Sequence, residues 1–471
     1  MQPALRHDFL KRLSPSGLVR SRKADHRSAL RRLKNLCSSA SICGFFFQVE
    51  IEIINIGSEL MLGRVLNTHQ QFLCAQLANL GFVVNRQLAI SDEGPVIQNA
   101  VRESLGRADL IIATGGLGPT SDDITRDLIA ELLEKKLQVD PDVLDRIEKF
   151  FAQRKRRMME STKVQAMVPE GAQVLHNANG TAPGLAMEIN PNSFRDGKKP
   201  TLLVMLPGPP RELRPMFLNQ VIPLLAKQFP QQAKFVCRTL RTTGLGESFV
   251  EEKISGRLKH LTPDKIELGY CARVGEVDVR LVSRGIEAEN YVSEAEKIIR
   301  ECLDEYIFGT DDDLLEETVV RLLTERKQTL ALAESCTGGF ISNRLTNVPG
   351  ASAVFINGLI TYSNESKQRL LGVREETLAQ HGAVSEATAR EMAEGARSKS
   401  KTNYALAVTG IAGPGGGTDE KPVGTVFIAL ATSEKTVVKH HVFQYDRDTF
   451  KFVTSQTALD LLRREIGGDF Q

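Results

Sequence analysis

Ser335 and Lys367 are the two side chains best suited, by type and setting, to covalent chemistry. In Gln328-Thr-Leu-Ala-Leu-Ala-Glu-Ser-Cys-Thr-Gly-Gly, an apolar run of strand type carries Ser335 to the mouth of a glycine-rich turn, and a helical pattern (Phe340, Ile341, Leu345) starts just beyond it. Strand-to-helix turns display a side chain at the carboxyl edge of a sheet, and the free N–H groups that open a helix can stabilise an oxyanion. A serine there also makes an ordinary helix cap, so the turn alone leaves both readings open. Residues 354–371 repeat the strand-then-helix pattern, with Asn364 as the predicted N-cap and Lys367 in the first turn. The positive end of the helix dipole and any desolvation both favour a neutral amine there. A neutral lysine can take the proton of a serine hydroxyl, which makes Ser335 and Lys367 a candidate Ser/Lys dyad. The competing reading is a solvated lysine on the outer face of an amphipathic helix.

Cys336 is a rival nucleophile, because a thiol beside a helix N-terminus can be strongly activated. Adjacent residues leaving a strand point in opposite directions, so only one of Ser335 and Cys336 can face a pocket. A third element is the glycine-rich stretch Thr409 to Gly417, directly after the apolar run from Tyr404 to Val408. Backbone amides at Gly410 and Gly413 can approach a phosphate closely, although turn glycines need no ligand to explain them. Arg447 could supply a fixed positive charge to the same phosphate, or pair with Asp446 or Asp448 at the surface.

These residues need a sheet to hold them, and the chain alternates strand and helix patterns from Val49 onward. Residues 49–56 read as a strand ending at Gly57, 72–80 as a helix, 82–88 as a strand, 95–106 as a helix and 109–113 as a strand. Such alternation implies a parallel sheet that binds ligands at the carboxyl ends of its strands. Two motifs fall there: Gly57 to Gly63 with Glu59, and Thr114-Gly-Gly-Leu-Gly-Pro-Thr-Ser-Asp-Asp. Amides of Gly115 and Gly116 can cradle a phosphate while Asp122 and Asp123 hold a hard divalent cation such as Mg²⁺ against it. Either aspartate can equally be a helix cap. No second histidine stands at ligand spacing from His69, which reads as a surface or supporting residue rather than a metal ligand.

At 471 residues the chain is long enough for about three domains. A net charge of +2 is nearly balanced and points to neither a nucleic-acid binder nor an acidic shell. The seven cysteines are odd in number and lack a CxxC pair, which predicts a reducing compartment, the cytoplasm. No apolar run approaches the roughly 20 residues of a membrane span. The first 43 residues hold ten Lys/Arg against two Asp; this composition fits a disordered basic arm, a transit peptide or a start placed too far upstream. No basic stripe follows along the rest of the chain.

Ala333-Glu-Ser-Cys-Thr-Gly-Gly, Thr361-Tyr-Ser-Asn-Glu-Ser-Lys, His381-Gly-Ala-Val-Ser, the 409–417 loop and Lys421-Pro-Val-Gly-Thr-Val closely resemble the C-terminal domain of the CinA family over about 312–466. The stretch 114–125, Asn179-Gly-Thr-Ala-Pro-Gly and Leu206-Pro-Gly-Pro-Pro-Arg-Glu-Leu resemble the same family's N-terminal domain, related to molybdopterin-binding domains, over about 49–220. The resemblance implies an α/β multidomain protein. A basic extension (1–48) would precede a parallel-sheet molybdopterin-binding-like domain (49–220), a small α+β KH-like connecting domain (221–309) and an α/β amidase domain (310–471). It implies nicotinamide-nucleotide amidase activity, which converts nicotinamide mononucleotide to nicotinate mononucleotide and ammonia without a cofactor. Ser335 would be the nucleophile, Lys367 its base, and Tyr362, Ser352, Thr409, Gly410, Gly413 and Arg447 substrate-binding positions. Where the family usually has Gly-Asp-Arg, this chain has Tyr445-Asp-Arg. For the N-terminal half it implies a nucleotide-diphosphate site lined by Glu59, Asn67, Gly115, Gly116, Thr120 and Asn179, with Asp122 and Asp123 on a divalent metal, and in some members ADP-ribose pyrophosphatase activity. Asn67-Thr-His69 departs from the family's usual Asp/Asn-Thr-Asn. The connecting domain lacks a GXXG clamp, so RNA is not expected. A homodimer is expected. The alternatives are metal-dependent ADP-ribose pyrophosphatase as the main activity, or competence-related interaction without catalysis.

Overall fold

The structure, a computed structural model, describes residues 49–230 and 234–468. The extension over 1–48 lies outside the described residues.

β1 (Ile51–Ile56), β2 (Arg86–Ile90), β3 (Leu110–Thr114), β4 (Gln173–Leu175), β5 (Gly184–Ile189) and β6 (Thr201–Leu206) form the first sheet, in the order β2-β1-β3-β6-β5-β4. The first four strands of that order are parallel, and β5 and β4 add an antiparallel edge. β1 shows why the chain stacks in layers: Ile51 and Ile53 enter one core with Leu73 and Leu77 of helix α1 (Thr68–Asn79). Ile54 and Ile56 enter the opposite core with Ile97 and Val101 of α2 (Gly94–Leu105) and Ile147 of α3 (Pro141–Gln153). A period of two on a strand covered on both faces gives this division. Helix α1 starts four residues earlier than the apolar pattern suggests, because the Asn67 side chain accepts from the Gln70 amide and caps it there. The strand expected over 82–88 forms later, at β2, since Phe82 turns inward behind α1 and is buried.

The middle segment folds as an antiparallel sheet of β7 (Phe235–Thr243), β8 (Glu267–Arg273), β9 (Glu276–Arg284) and β10 (Ile307–Thr310), in the order β8-β9-β7-β10. Helices α4 (Glu247–Leu258) and α5 (Ala288–Leu303) share a core with it.

The last sheet contains β11 (Leu330–Glu334), β12 (Phe355–Ile360), β13 (Tyr404–Gly410), β14 (Thr425–Ala431) and β15 (Thr436–Val442), in the order β12-β11-β13-β14-β15. β12, β11 and β13 are parallel; β14 runs antiparallel to β13, and β15 antiparallel to β14. Leu330 and Leu332 face a core shared with α6 (Leu315–Glu325), α7 (Phe340–Thr346) and α9 (Arg447–Gly467). On the other face, Ala331, Ala333, Ala405 and Ala407 meet Ala389, Ala393 and Ala396 of α8 (Glu386–Ser400). Small residues on both sides let α8 lie close to the sheet.

Buried polar contacts tie this domain to the middle sheet. Gln456 of α9 donates to Glu276 of β9 (2.9 Å) and accepts from Arg344 of α7 (2.8 Å), which also reaches Glu316 and Ser455 (2.7 Å each). Glu276 in turn accepts from Arg241 of β7 at 2.6 Å.

One close approach sets the position of the site lysine. A Cβ on Gly395 of α8 would stand 1.9 Å from the carbonyl oxygen of Leu371, which ends the helical segment bearing Lys367. Glycine to alanine inside a helix normally stabilises by up to about 1 kcal/mol, but overpacking against backbone destabilises by about 1–3 kcal/mol. Gly395→Ala is therefore expected to lower the urea-unfolding free energy; an unchanged or higher value would show that α8 can shift freely.

Candidate active site

Ser335 sits one residue past β11, and its amide donates to the Val408 carbonyl (3.0 Å), holding the turn flush with the edge of β13. The turn then reverses through Gly338 (φ +62°) and Gly339 (φ +94°), conformations that favour glycine. The preceding residue supplies an anchor that the sequence reading missed. The Glu334 carboxylate, 1% exposed, accepts from the Gly339 and Ile341 amides (3.1 Å each), the Ser342 amide (2.8 Å) and the Ser342 hydroxyl (2.6 Å). Its only sequence signal is a charged residue closing an otherwise apolar strand. It corrects the expectation that the open N-terminus of α7 serves an oxyanion, because Glu334 already occupies those amides. Among the described residues, the amides within the turn that donate to no oxygen are those of Cys336 and Thr337.

Lys367 is 1% exposed, so it is not a solvated surface lysine. Its Nζ lies 3.1 Å from Ser335 Oγ, 2.8 Å from the Thr361 carbonyl and 3.2 Å from the Tyr362 carbonyl. A neutral amine has two N–H bonds and one lone pair. With the two carbonyls accepting both N–H groups, the lone pair is left for the Ser335 hydroxyl to donate into. Burial pushes the Lys367 pKa below its usual value, against an opposite pull from the Cys336 thiol. Desolvation rather than the helix dipole is thus the chief cause. The N-cap is Ser363, not Asn364: its side chain accepts from the Ser366 amide at 3.1 Å, making Asn364 the first helical residue. Lys367 then opens a π-helical stretch to Leu371, a local widening of the kind often found at functional positions.

Cys336 is 6% exposed within the core that includes Leu332 and Ile341. Burial pushes its thiol up to about 12, leaving it protonated and poorly nucleophilic at neutral pH.

Arg447, the first residue of α9, donates to the Gly413 carbonyl (2.8 Å) and to the Tyr362 hydroxyl (3.1 Å). It does not pair with its neighbours: Asp446 instead caps α9, accepting from the Asp448 and Thr449 amides (3.1 Å each). Tyr362 therefore touches Lys367 through its carbonyl and Arg447 through its ring hydroxyl. Thr409 is 1% exposed and its hydroxyl donates to the Ala383 carbonyl at 2.7 Å, tying the 381–385 segment to the end of β13. A Cβ on Gly410 would lie 2.6 Å from the Thr425 carbonyl, so this glycine is required by strand packing. The Gly413 carbonyl accepts the Arg447 hydrogen bond. Ser352 lies at the other end of the sheet. It lies in the single turn Ala351–Ala353 just before β12, whereas Ser335 follows the end of the parallel β11. The two are separated by a strand's length, roughly 15–20 Å at 3.3 Å per residue.

In the first domain, the loops after β1, β3 and β6 gather at one sheet edge. Glu59 and Asp122 are exposed. Asn67 is occupied in capping α1, and Asn179 donates to the Arg211 carbonyl at 3.0 Å. A Cβ on Gly115 would meet the Ile56 carbonyl at 2.3 Å, and one on Gly116 the Thr125 hydroxyl at 2.0 Å, so the tight turn demands both glycines. The Asp123 carboxylate accepts from the Thr120 amide (3.0 Å) and from its hydroxyl. Among the described residues no group of three or more His, Cys, Asp or Glu is arranged to hold a metal. A cation at Asp122 and Asp123 would need ligand oxygens from a substrate. His69 donates through Nε2 to the Gly208 carbonyl, and burial pushes its pKa down; it fastens a loop.

Residues 312–466 match the family described as CinA C-terminal domain, 52–227 the molybdopterin binding domain, and 237–309 the damage-inducible protein CinA KH domain. A relative from Caldicellulosiruptor bescii, described as competence-damage inducible, is 47% identical over 88% of this chain and 98% of its own length. A CinA-like protein of Kosmotoga olearia is 42% identical over 89% of this chain and 99% of its own. Among solved structures, a CinA superfamily protein from Klebsiella pneumoniae is 35% identical, covering 33% of this chain and 96% of that one, with a TM-score of 0.32.

Glu334→Gln would present an NH₂ group to amides that can only donate. Each bond lost to a charged acceptor is worth about 1.5–3 kcal/mol, so urea unfolding is expected to shift clearly downward. A variant as stable as the wild type would remove Glu334 as the anchor of the turn.

Proposed function

The chain belongs to the CinA family, and from that premise we propose that it is a nicotinamide-nucleotide amidase using a Ser/Lys mechanism. The observation that supports this most directly is the buried Lys367 amine 3.1 Å from Ser335 Oγ, with two carbonyls accepting its N–H groups. Neutral Lys367 takes the hydroxyl proton as Oγ attacks the carboxamide carbon of nicotinamide mononucleotide. The amides of Cys336 and Thr337 stabilise the oxyanion. The resulting ammonium returns its proton to the departing nitrogen, so ammonia leaves and an acyl-serine remains. Water, deprotonated by the same amine, then releases nicotinate mononucleotide. The Arg447 guanidinium has no carboxylate partner among the described residues and receives the 5′-phosphate beside the Tyr362 hydroxyl.

The exposed Asp122 carboxylate beside the Gly115–Gly116 turn favours a second activity, cleavage of a nucleotide diphosphate such as ADP-ribose. There Asp122 and Asp123 would hold a divalent cation completed by substrate oxygens, and the cation would neutralise phosphate charge.

The test is ammonia release from nicotinamide mononucleotide by the purified full chain. Ser335→Ala is expected to lower kcat by roughly 10³-fold or more with an unchanged thermal melt, and undiminished turnover would refute the proposal. Because the base works as the free amine and burial lowers the Lys367 pKa, kcat/KM should rise with pH and level off before the usual lysine range. A rate that falls through that window would place the proton elsewhere. A chelator should abolish only the ADP-ribose reaction; continued cleavage in its presence would remove the metal from the second reading.

A further inference from the structure

A cavity of about 320 Å³ lies in the first domain between α3 and the loop 176–183, and none of the residues assigned above lines it. Its floor includes the buried Val143 and Ile147, and Arg146, Lys149, Arg154 and His176 also line it. Lys155, Arg156 and Arg157 follow Arg154 directly in the chain. This run is too short to register as a stripe along the sequence; the fold adds Arg146, Lys149 and His176 to it. Lys149 pairs with Asp145 (2.6 Å), and Arg154 lies 3.6 Å over the Phe150 ring. Among the described residues, Arg146, Arg154, Lys155, Arg156 and Arg157 have no carboxylate partner.

The opposite wall is bare backbone held in place. Asn177 donates to the Ala182 carbonyl (2.8 Å) and to Glu212 (2.7 Å), and accepts from the Asn179 amide (2.9 Å). A Cβ on Gly180 would stand 2.1 Å from the Glu212 carboxylate, so any side chain there would have to displace Glu212 from Asn177. The amides of Ala178, Gly180 and Thr181 have no hydrogen-bond partner among the described residues.

Unpaired guanidinium groups facing free main-chain amides across a pocket are the complement of a phosphate. We propose that this cavity binds a phosphate-bearing small molecule of mononucleotide size. Its phosphate lies between Arg146, Arg154 and the 178–181 amides, and its base lies against the Arg154 and Phe150 planes. The volume is that of a small-ligand pocket, and its cations gather at one helix end and one loop rather than along a track that a nucleic-acid strand would follow.

The test is calorimetric titration of the full chain with AMP, in an Arg447→Gln background that weakens phosphate binding at the amidase site. Adding Arg146→Gln and Arg154→Gln together is expected to weaken AMP binding by roughly tenfold or more. Equal affinity with and without the two arginines overturns the proposal. So does a twelve-nucleotide single strand that binds far more tightly than AMP through the same arginines, which would make the surface a nucleic-acid site. Thermal melts check folding, and if the double variant fails to fold, Arg146→Gln alone is read by the same criterion.

Discussion

An amine sealed from water is the constraint around which the C-terminal domain is organised. A buried ammonium would be strongly disfavoured, and Lys367 resolves the problem with two carbonyl acceptors for its N–H groups and a hydroxyl for its lone pair. Each partner comes from a different structural decision. Ser335 is placed by the end of β11, Thr361 and Tyr362 by the end of the neighbouring β12, and Lys367 by a helix capped at Ser363. Parallel neighbours end at the same edge, so the three meet without any long connection, and the alanine-lined approach of α8 packs against the far side of the lysine's helix.

Negative charge is handled by separation. The helix terminus next to Ser335 would attract an anion, but Glu334 fills it from within. Arg447, whose guanidinium meets the Gly413 carbonyl and the Tyr362 hydroxyl, is presented by a different helix. The turn is thereby held by an internal anion, and the two amides it leaves without an oxygen acceptor, Cys336 and Thr337, belong to the two peptides that follow Ser335.

The strand, the glycine turn and the lysine helix were legible in the chain, because apolar runs and glycine pairs report local backbone needs. The two-faced packing of β1 and β11 was equally readable, as consecutive apolar residues must go to both sides of a sheet. What could not be read depends on distant partners. Glu334 looks like an ordinary strand terminus until α7 folds over it. Ser352 is near β12 in sequence but at the wrong end of it. The choice between Ser363 and Asn364 as the cap turned on one residue, and both types cap well. Arg447 had two acidic neighbours within one residue, yet Asp446 faces the helix amides and the guanidinium points to Tyr362. The link from Arg344 through Gln456 to Glu276 joins residues far apart in the chain, and no periodicity announces it.

Tyr362 is shared between two tasks: its peptide oxygen restrains the amine and its phenol braces the guanidinium. A shift of that residue would move both the carbonyl that holds the Lys367 amine and the hydroxyl that meets Arg447. The amine and the guanidinium thus lean on one common support, and neither partner can be displaced without disturbing the other's footing.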